Sequence, residues 1–301
     1  IFYIQKMETI KMSKAPQMVE SGNLRAVIRF CYQYHRSVII QDMIVYRDSR
    51  RIDFKTRYAG SYFGVLWAMV QPVVIVLVYW FVFQIGLNNA TAELKQGIHV
   101  PFVLCLVSGI VPWFYFSESL SNGTNALLEY NYLVKKVVFN IHILPLVKTV
   151  AALFIHAFFV LFMLVLFACY GYAPGLHTLK VVYFSFSLTV FVTGVCMLTS
   201  ALVVFFRDLS QIINIFLQVG IWMTPIMWSL EDLLLKYPFL IILKLNPLCY
   251  IVYGYRAVLF QTDTVAGLGW MNAYFWAVTL LIWAVGGSVF RKLKVHFADV
   301  L

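Results

Sequence analysis

The sequence predicts an all-α polytopic membrane protein, and three observations carry that prediction. Of 301 residues, 62% are hydrophobic and only 12% are charged, where a soluble domain would be about a quarter charged. Runs of about 20 apolar residues recur, each long enough to cross a hydrocarbon core of about 30 Å as a helix. The cations gather at the ends of these runs rather than inside them, as in a chain threaded repeatedly through a bilayer. A transmembrane barrel would need short alternating segments, which the sequence lacks.

Six spans are expected, with a cytoplasmic tail before them (residues 1–60), a transmembrane domain (61–290) and a cytoplasmic tail after them (291–301). Residues 22–46 read as an amphipathic helix in the interface plane. Leu24, Val27, Ile28, Cys31, Val38 and Ile39 recur at helical spacing, while Arg25, Arg29, Gln33 and Arg36 mark another face. Five cations lie between Arg47 and Arg57, and no charge appears again until Glu93. Cations resist transfer into hydrocarbon, so this segment stays at the cytoplasmic headgroups and orients the spans after it. The first span is expected over Tyr62–Ile85, with Pro72 inside it. A polar outer stretch, Leu87–Val100, leads to the second span, Phe102–Leu120. Residues 121–145 read as a cytoplasmic segment with a short central helix, carrying Lys135 and Lys136 and an apolar side of Leu127, Leu128, Tyr132 and Leu133.

The third span is expected over Ile143–Tyr170, the fourth over Thr178–Phe206 and the fifth over Gln211–Trp228, with Arg207-Asp208 as an inside turn. Residues 229–267 are too interrupted to cross. One crossing there would also put Arg291, Lys292 and Lys294 outside, against the positive-inside rule. Two short re-entrant helices in the outer half of the membrane are therefore expected, with a last span over Trp270–Phe290. Inside segments then hold 17 of the 23 Lys and Arg, and outside segments hold Lys95, Lys236, Lys244 and Arg256.

The chemistry-bearing motifs are informative chiefly by their absence. The sequence has no Gly-x-x-x-x-Gly-Lys-Ser/Thr loop for ATP, no His-Glu-x-x-His zinc pair and no Gly-x-Ser-x-Gly elbow. No metal site and no cofactor are expected in this chain. The five cysteines are scattered and read as small buried apolar side chains. His142, His156 and Glu118 read as packing or interface residues rather than ligands or proton relays. The net charge of +10 is concentrated before residue 58 beside a span, so it reads as membrane-surface charge and not as a nucleic-acid site. Aromatic residues are abundant, with 26 Phe, 18 Tyr and 8 Trp. Those lining a pore would stack on the C–H faces of sugar rings. Trp67, Tyr79, Trp80, Trp113, Tyr115, Trp222 and Trp228 are the candidates.

The stretch Asp53-Phe54-Lys55-Thr56-Arg57-Tyr58, then Gly64-Val65-Leu66-Trp67 and Pro72, resembles the start of the membrane subunit of bacterial type-2 ABC exporters of polysaccharide. Ser108-Gly-Ile-Val-Pro-Trp-Phe-Tyr-Phe-Ser117, Leu133-Val-Lys-Lys136, Leu144-Pro145, Phe206-Arg207-Asp208-Leu209, Asn246-Pro247-Leu248 and Tyr253-Gly254-Tyr255-Arg256 agree in order. Asn140 stands where that family is expected to have proline. The resemblance implies an inner-membrane permease that moves lipid-linked O-antigen, capsule or teichoic acid as a dimer. Each copy would bind a separate ATPase subunit that carries ATP and Mg²⁺. It further implies a coupling helix over about 126–138, engaging the ATPase through Leu127, Leu128, Tyr132, Leu133, Lys135 and Lys136. Arg51, Lys55, Arg57 and Tyr58 would receive the lipid pyrophosphate, and two gate helices would cover 230–245 and 248–262. A type-2 exporter of drugs or small lipids, and a membrane-embedded glycosyltransferase using Glu231-Asp232, are the competing readings.

Overall fold

In the computed structural model, residues 66–86, 91–94, 98–131, 141–172, 174–262 and 269–301 are described. The expected interface helix, the basic segment 47–57 and the loop 132–140 lie outside the described residues.

The first helix, α1 (Leu66–Trp80), contains Pro72 and continues as a π-helical turn, Phe81–Gly86. The stretch expected to be polar and outside, Leu87–Val100, contains two short strands for which no secondary structure was expected. Strands β1 (Thr91–Leu94) and β2 (Ile98–Pro101) pair antiparallel, with Thr91 opposite Pro101 and Leu94 opposite Ile98. Alternation of Ala92 and Leu94 with polar neighbours suits a short hairpin.

Helix α2 (Phe102–Glu129) is the hub. Leu104, Leu106 and Ile110 are each at 0% exposure, and nearly every side chain from Phe102 to Trp113 is buried. α2 is the least apolar of the long helices and the most enclosed, because its serine, threonine and asparagine side chains need partners that lipid cannot supply. α2 also runs nine residues past the expected end at Leu120. The sequence Ser-Asn-Gly-Thr-Asn looks like a loop, yet its side chains find partners within the bundle. Thr124 Oγ1 donates to Leu120 O at 2.7 Å and lies 2.8 Å from Thr199 Oγ1. Asn125 Nδ2 donates to Ser121 O at 2.9 Å. Residues 126–129 of the expected coupling segment are thus the last turn of α2.

Helix α3 (Ile143–Cys169) runs antiparallel to α2, and α4 (Lys180–Val203) comes after a 3₁₀ turn, Leu176–Leu179. A tight turn at 204–208 leads to α5 (Leu209–Met223). Then come α6 (Leu230–Lys236), a 3₁₀ segment (Pro238–Leu245) and α7 (Pro247–Leu259); the 3₁₀ segment and α7 meet at 90°. Asn246 starts α7 by accepting from the Leu248 N–H at 3.0 Å, ahead of Pro247 in the first turn. Helix α8 (Gly269–Leu293) leads through a 3₁₀ turn to α9 (Phe297–Val300).

Four helices are long and apolar enough to cross a membrane among the described residues: α2, α3, α4 with its 3₁₀ lead, and α8. The bent pair would be a fifth at most, while residues 72–86 and α5 are shorter apolar helices. Along the middle of α3 and α8 the exposed side chains include Leu161, Val165, Leu280 and Leu281, apolar as a lipid-facing surface requires. α7 seats closely on α4: a Cβ placed on Gly254 would lie 2.1 Å from the Phe184 ring.

Candidate functional site

At one end of the bundle, the termini of α2, α3, α4, α5 and α8 converge. Lys148, in the second turn of α3, has a side chain 1% exposed, and its Nζ lies 2.5 Å from Glu129 Oε2 in the last turn of α2. The same ammonium lies 5.0 Å from the centre of the Tyr130 ring. Ser210 Oγ, at the start of α5, donates to Asn125 Oδ1 of α2 at 2.7 Å. Phe297 packs on Phe290 and Phe205, and the His142 ring stands 4.2 Å from that of Phe290. Burial and the nearby Lys294 and Arg291 hold the His142 imidazole below the ordinary histidine value.

The middle of the bundle holds a buried polar ladder, of which the sequence pattern singled out His156, as a packing residue, and Tyr115, but not Thr149, Ser185, Thr189 or Thr193. Tyr115 OH donates to Thr189 Oγ1 at 3.0 Å, and its ring stacks on His156 at 4.6 Å. His156 Nε2 is shared between Ser185 Oγ and Tyr255 OH, at 3.2 and 3.1 Å. Thr193 and Thr149 extend the ladder between α4 and α3. Each group has a partner in a neighbouring helix, which specifies their register where water is excluded.

At the other end, Arg256 is 6% exposed, although the topology expected from charge makes it an outside surface cation. Its Nη2 donates to Ile226 O at 2.6 Å and to Cys105 O at 3.3 Å, while Nε has no hydrogen-bond partner among the described residues. The guanidinium therefore ties α7 to the α5–α6 link and to the first turn of α2. Asn246 Nδ2 adds a bond to Thr224 Oγ1 at 3.0 Å.

The fourth feature is a face of α5. Ile213, Leu217 and Gly220 are buried against the bundle, Gly220 under the Trp113 indole. Gln211, Asn214, Gln218 and Trp222 are spaced three, four and four residues apart on one stripe turned away from that buried face. Gln211 and Gln218 are exposed, Asn214 is half-buried beside Ser121, and Trp222 is 54% exposed. The spacing was legible in the sequence, where three amides interrupt an otherwise apolar helix.

The expected aromatic set divides. Trp113 and Tyr115 are 5% and 2% exposed and belong to the packed interior of the chain. Tyr79 and Trp80 are half-buried on α1. Trp228 is half-buried, and its indole N–H donates to Trp222 O at 2.9 Å. The side chain of Trp67 lies outside the described residues, as do Arg51, Lys55, Arg57 and Tyr58. Of the expected coupling residues, Leu127 is at 0% exposure inside the bundle and Leu128 is half-buried. Tyr132, Leu133, Lys135 and Lys136 lie outside the described residues.

A bundle of helices long and apolar enough to cross a membrane, tied together by buried polar pairs, is that of an all-α integral membrane protein. The match to a protein family specifies it further: residues 51–260 fit the ABC-2 type transporter, and the chain belongs to that family. It is 28% identical over 252 residues to an O-antigen export system permease protein RfbA of Klebsiella pneumoniae, covering 83% of this chain and 92% of that one. It is 28% identical over 274 residues to a protein of the same name from Myxococcus xanthus, covering 91% and 98%. A second Klebsiella pneumoniae relative of that name is 26% identical over 256 residues.

Proposed function

We propose that this chain is the permease subunit of an ATP-driven exporter of lipid-linked polysaccharide, an O-antigen, capsule or teichoic-acid chain, in a bacterial inner membrane. Two copies, each with six spans and both termini in the cytoplasm, enclose a channel. Each copy binds a separate subunit that holds ATP and Mg²⁺. The two further spans per copy are α1 with its π-helical turn, and α5. The segment 230–262 is a re-entrant gate at the outer side. Leu128, Tyr132, Leu133, Lys135 and Lys136 meet the ATPase. Arg51, Lys55, Arg57 and Tyr58 receive the pyrophosphate, since ammonium and guanidinium groups both suit phosphate oxygens.

The observation that carries this reading is the amide stripe of α5. At about 1.5 Å per residue, Gln218 lies about 14 Å along α5 from Leu209, near the midplane of a core about 30 Å thick. An amide facing lipid there leaves donors and acceptors unpaired, at a cost of about 2 kcal/mol or more. The stripe is therefore better matched to a hydroxyl-rich chain passing between two copies. Gln211, Asn214 and Gln218 would hydrogen-bond sugar hydroxyls, while Trp222, with Tyr79, Trp80 and Trp228, would offer ring faces.

The test is transport in sealed vesicles containing this chain and its ATPase. Lipid-linked glycan should cross only with ATP, and Gln218→Leu should lower transport about tenfold, a loss of about 1.4 kcal/mol. ATP-driven movement of phospholipid or drug at the same rate as glycan would favour a small-lipid or drug exporter instead. Sugar transfer without ATP would support the glycosyltransferase reading.

A further inference from the structure

We propose that Glu129, Tyr130 and Lys148 form a clasp across the base of the loop between α2 and α3, and that this clasp delivers a push on the loop to both helices as one body. The proposal rests on the reading that this loop meets an ATPase.

Lys148 is the only charged residue in the 27 residues of α3. A lysine that served as a topology anchor would extend its stem to the headgroups and keep its ammonium in water. Lys148 does the opposite, since its side chain is 1% exposed. Glu129, itself 49% exposed, reaches inward to meet it at 2.5 Å, and the Tyr130 ring covers the ammonium at 5.0 Å. An enclosed ammonium needs its anion, so the arrangement holds the last turn of α2 against the second turn of α3. The chain leaves this contact at Tyr130 and returns through His142 and Ile143. A loop joined to two helices free to spread would absorb an applied displacement. A loop closed at its base cannot.

The path continues from the clasp. One turn before Glu129, Asn125 accepts the Ser210 hydroxyl at 2.7 Å. Ser210 lies in the first turn of α5, one residue before Gln211 and the amide stripe. A displacement of α2 as a clasped unit therefore reaches the first turn of α5 through a hydrogen bond, and through it the helix proposed to contact the glycan. The clasp, Asn125–Ser210 and α5 form one contiguous series of contacts.

The test separates the clasp from ordinary packing. Nitroxide labels go on Asn131→Cys and Leu146→Cys, both exposed, in a chain whose Cys31 and Cys169 are serine. Pulsed EPR on the chain in nanodiscs should give a narrow distance distribution for the parent and for Lys148→Arg. Glu129→Gln and Lys148→Met should broaden it. Equal widths in all four would overturn the clasp, and this readout needs neither ATPase nor glycan. In vesicles with the ATPase, Glu129→Gln should hydrolyse ATP at close to the parental rate but move about fivefold less lipid-linked glycan per ATP, the scale at which couplings of this kind operate. Broadened distances with unchanged glycan per ATP would overturn transmission through the clasp. So would a loss of transport matched by an equal loss of folded complex. A parent that binds no ATPase would remove the permease reading, while the label widths would still decide whether the clasp exists.

Discussion

Substituting Gly254 by alanine tests how α7 is seated on α4. The added Cβ would lie 2.1 Å from Phe184 Cε1 and 2.4 Å from both Cδ1 and Cζ. One ring atom can sometimes move aside, but here three are met at once. The Phe184 ring is 3% exposed and is packed against Tyr183, Tyr250 and Tyr255 at 5.3, 5.4 and 6.5 Å. It cannot swing without displacing another aromatic residue, so α7 must shift. Overpacking of this kind costs about 1–3 kcal/mol. Gly287 supplies the control: it is interior to α8, and a Cβ there would meet nothing within 4 Å. Its replacement by alanine should stabilise by up to about 1 kcal/mol through helix propensity. Denaturant titration in mixed micelles should therefore move the two variants in opposite directions. Phe184→Leu should recover part of the Gly254→Ala loss in the double variant. A Gly254→Ala midpoint equal to the parent, or a double variant showing only the sum of the single effects, would refute the seating described here.

The charged groups supply two further predictions. Arg256→Met removes the carbonyl bonds and the buried charge together, and since desolvation offsets much of what those bonds contribute, the fold should hold to within about 2 kcal/mol. Arg256→Glu would set an anion against the Ile226 and Cys105 carbonyls and should abolish the monodisperse peak in detergent. The His142 pKa is held low in the folded chain, so the folded state disfavours its proton. Its contribution is present above the ordinary histidine value near 6.5 and is lost as pH falls below it, because the released segment binds the proton more readily. The protection of α9 amides, taken relative to their intrinsic exchange rate at each pH, should therefore fall between about pH 7 and about pH 5, and His142→Phe should abolish that fall.

Much of the helical plan could be read directly because charge marks the ends of the apolar runs. Lys180 and Arg207-Asp208 bracket α4, and Arg291 lies in the last turn of α8, each within a turn or so of the observed boundaries. The failures have a common cause: polarity does not always mean exposure. Ser121–Asn125 has the composition of a loop, yet hydroxyl and amide groups paired within the bundle keep α2 helical to Glu129. Arg256 has the position of an outside cation, but two backbone carbonyls that no sequence pattern announces hold it inside. Trp113 and Tyr115 have the composition of a sugar-binding pair, and only the packing of Gly220, Thr189 and His156 around them places them in the core. The α5 stripe is the opposite case. Its period is visible in the sequence, but amides draw less notice than rings in a chain so rich in aromatic residues.

Whether a channel exists depends most on what α5 faces. Cysteine in place of Gln218 should react with a membrane-impermeant maleimide in the assembled exporter if that position borders the proposed path for a hydrated glycan. Cysteine in place of Leu161, 62% exposed on the lipid side of α3, should not react. A Gln218→Cys thiol as protected as the Leu161→Cys thiol would place the stripe against lipid or a dry helix contact and contradict the proposed channel.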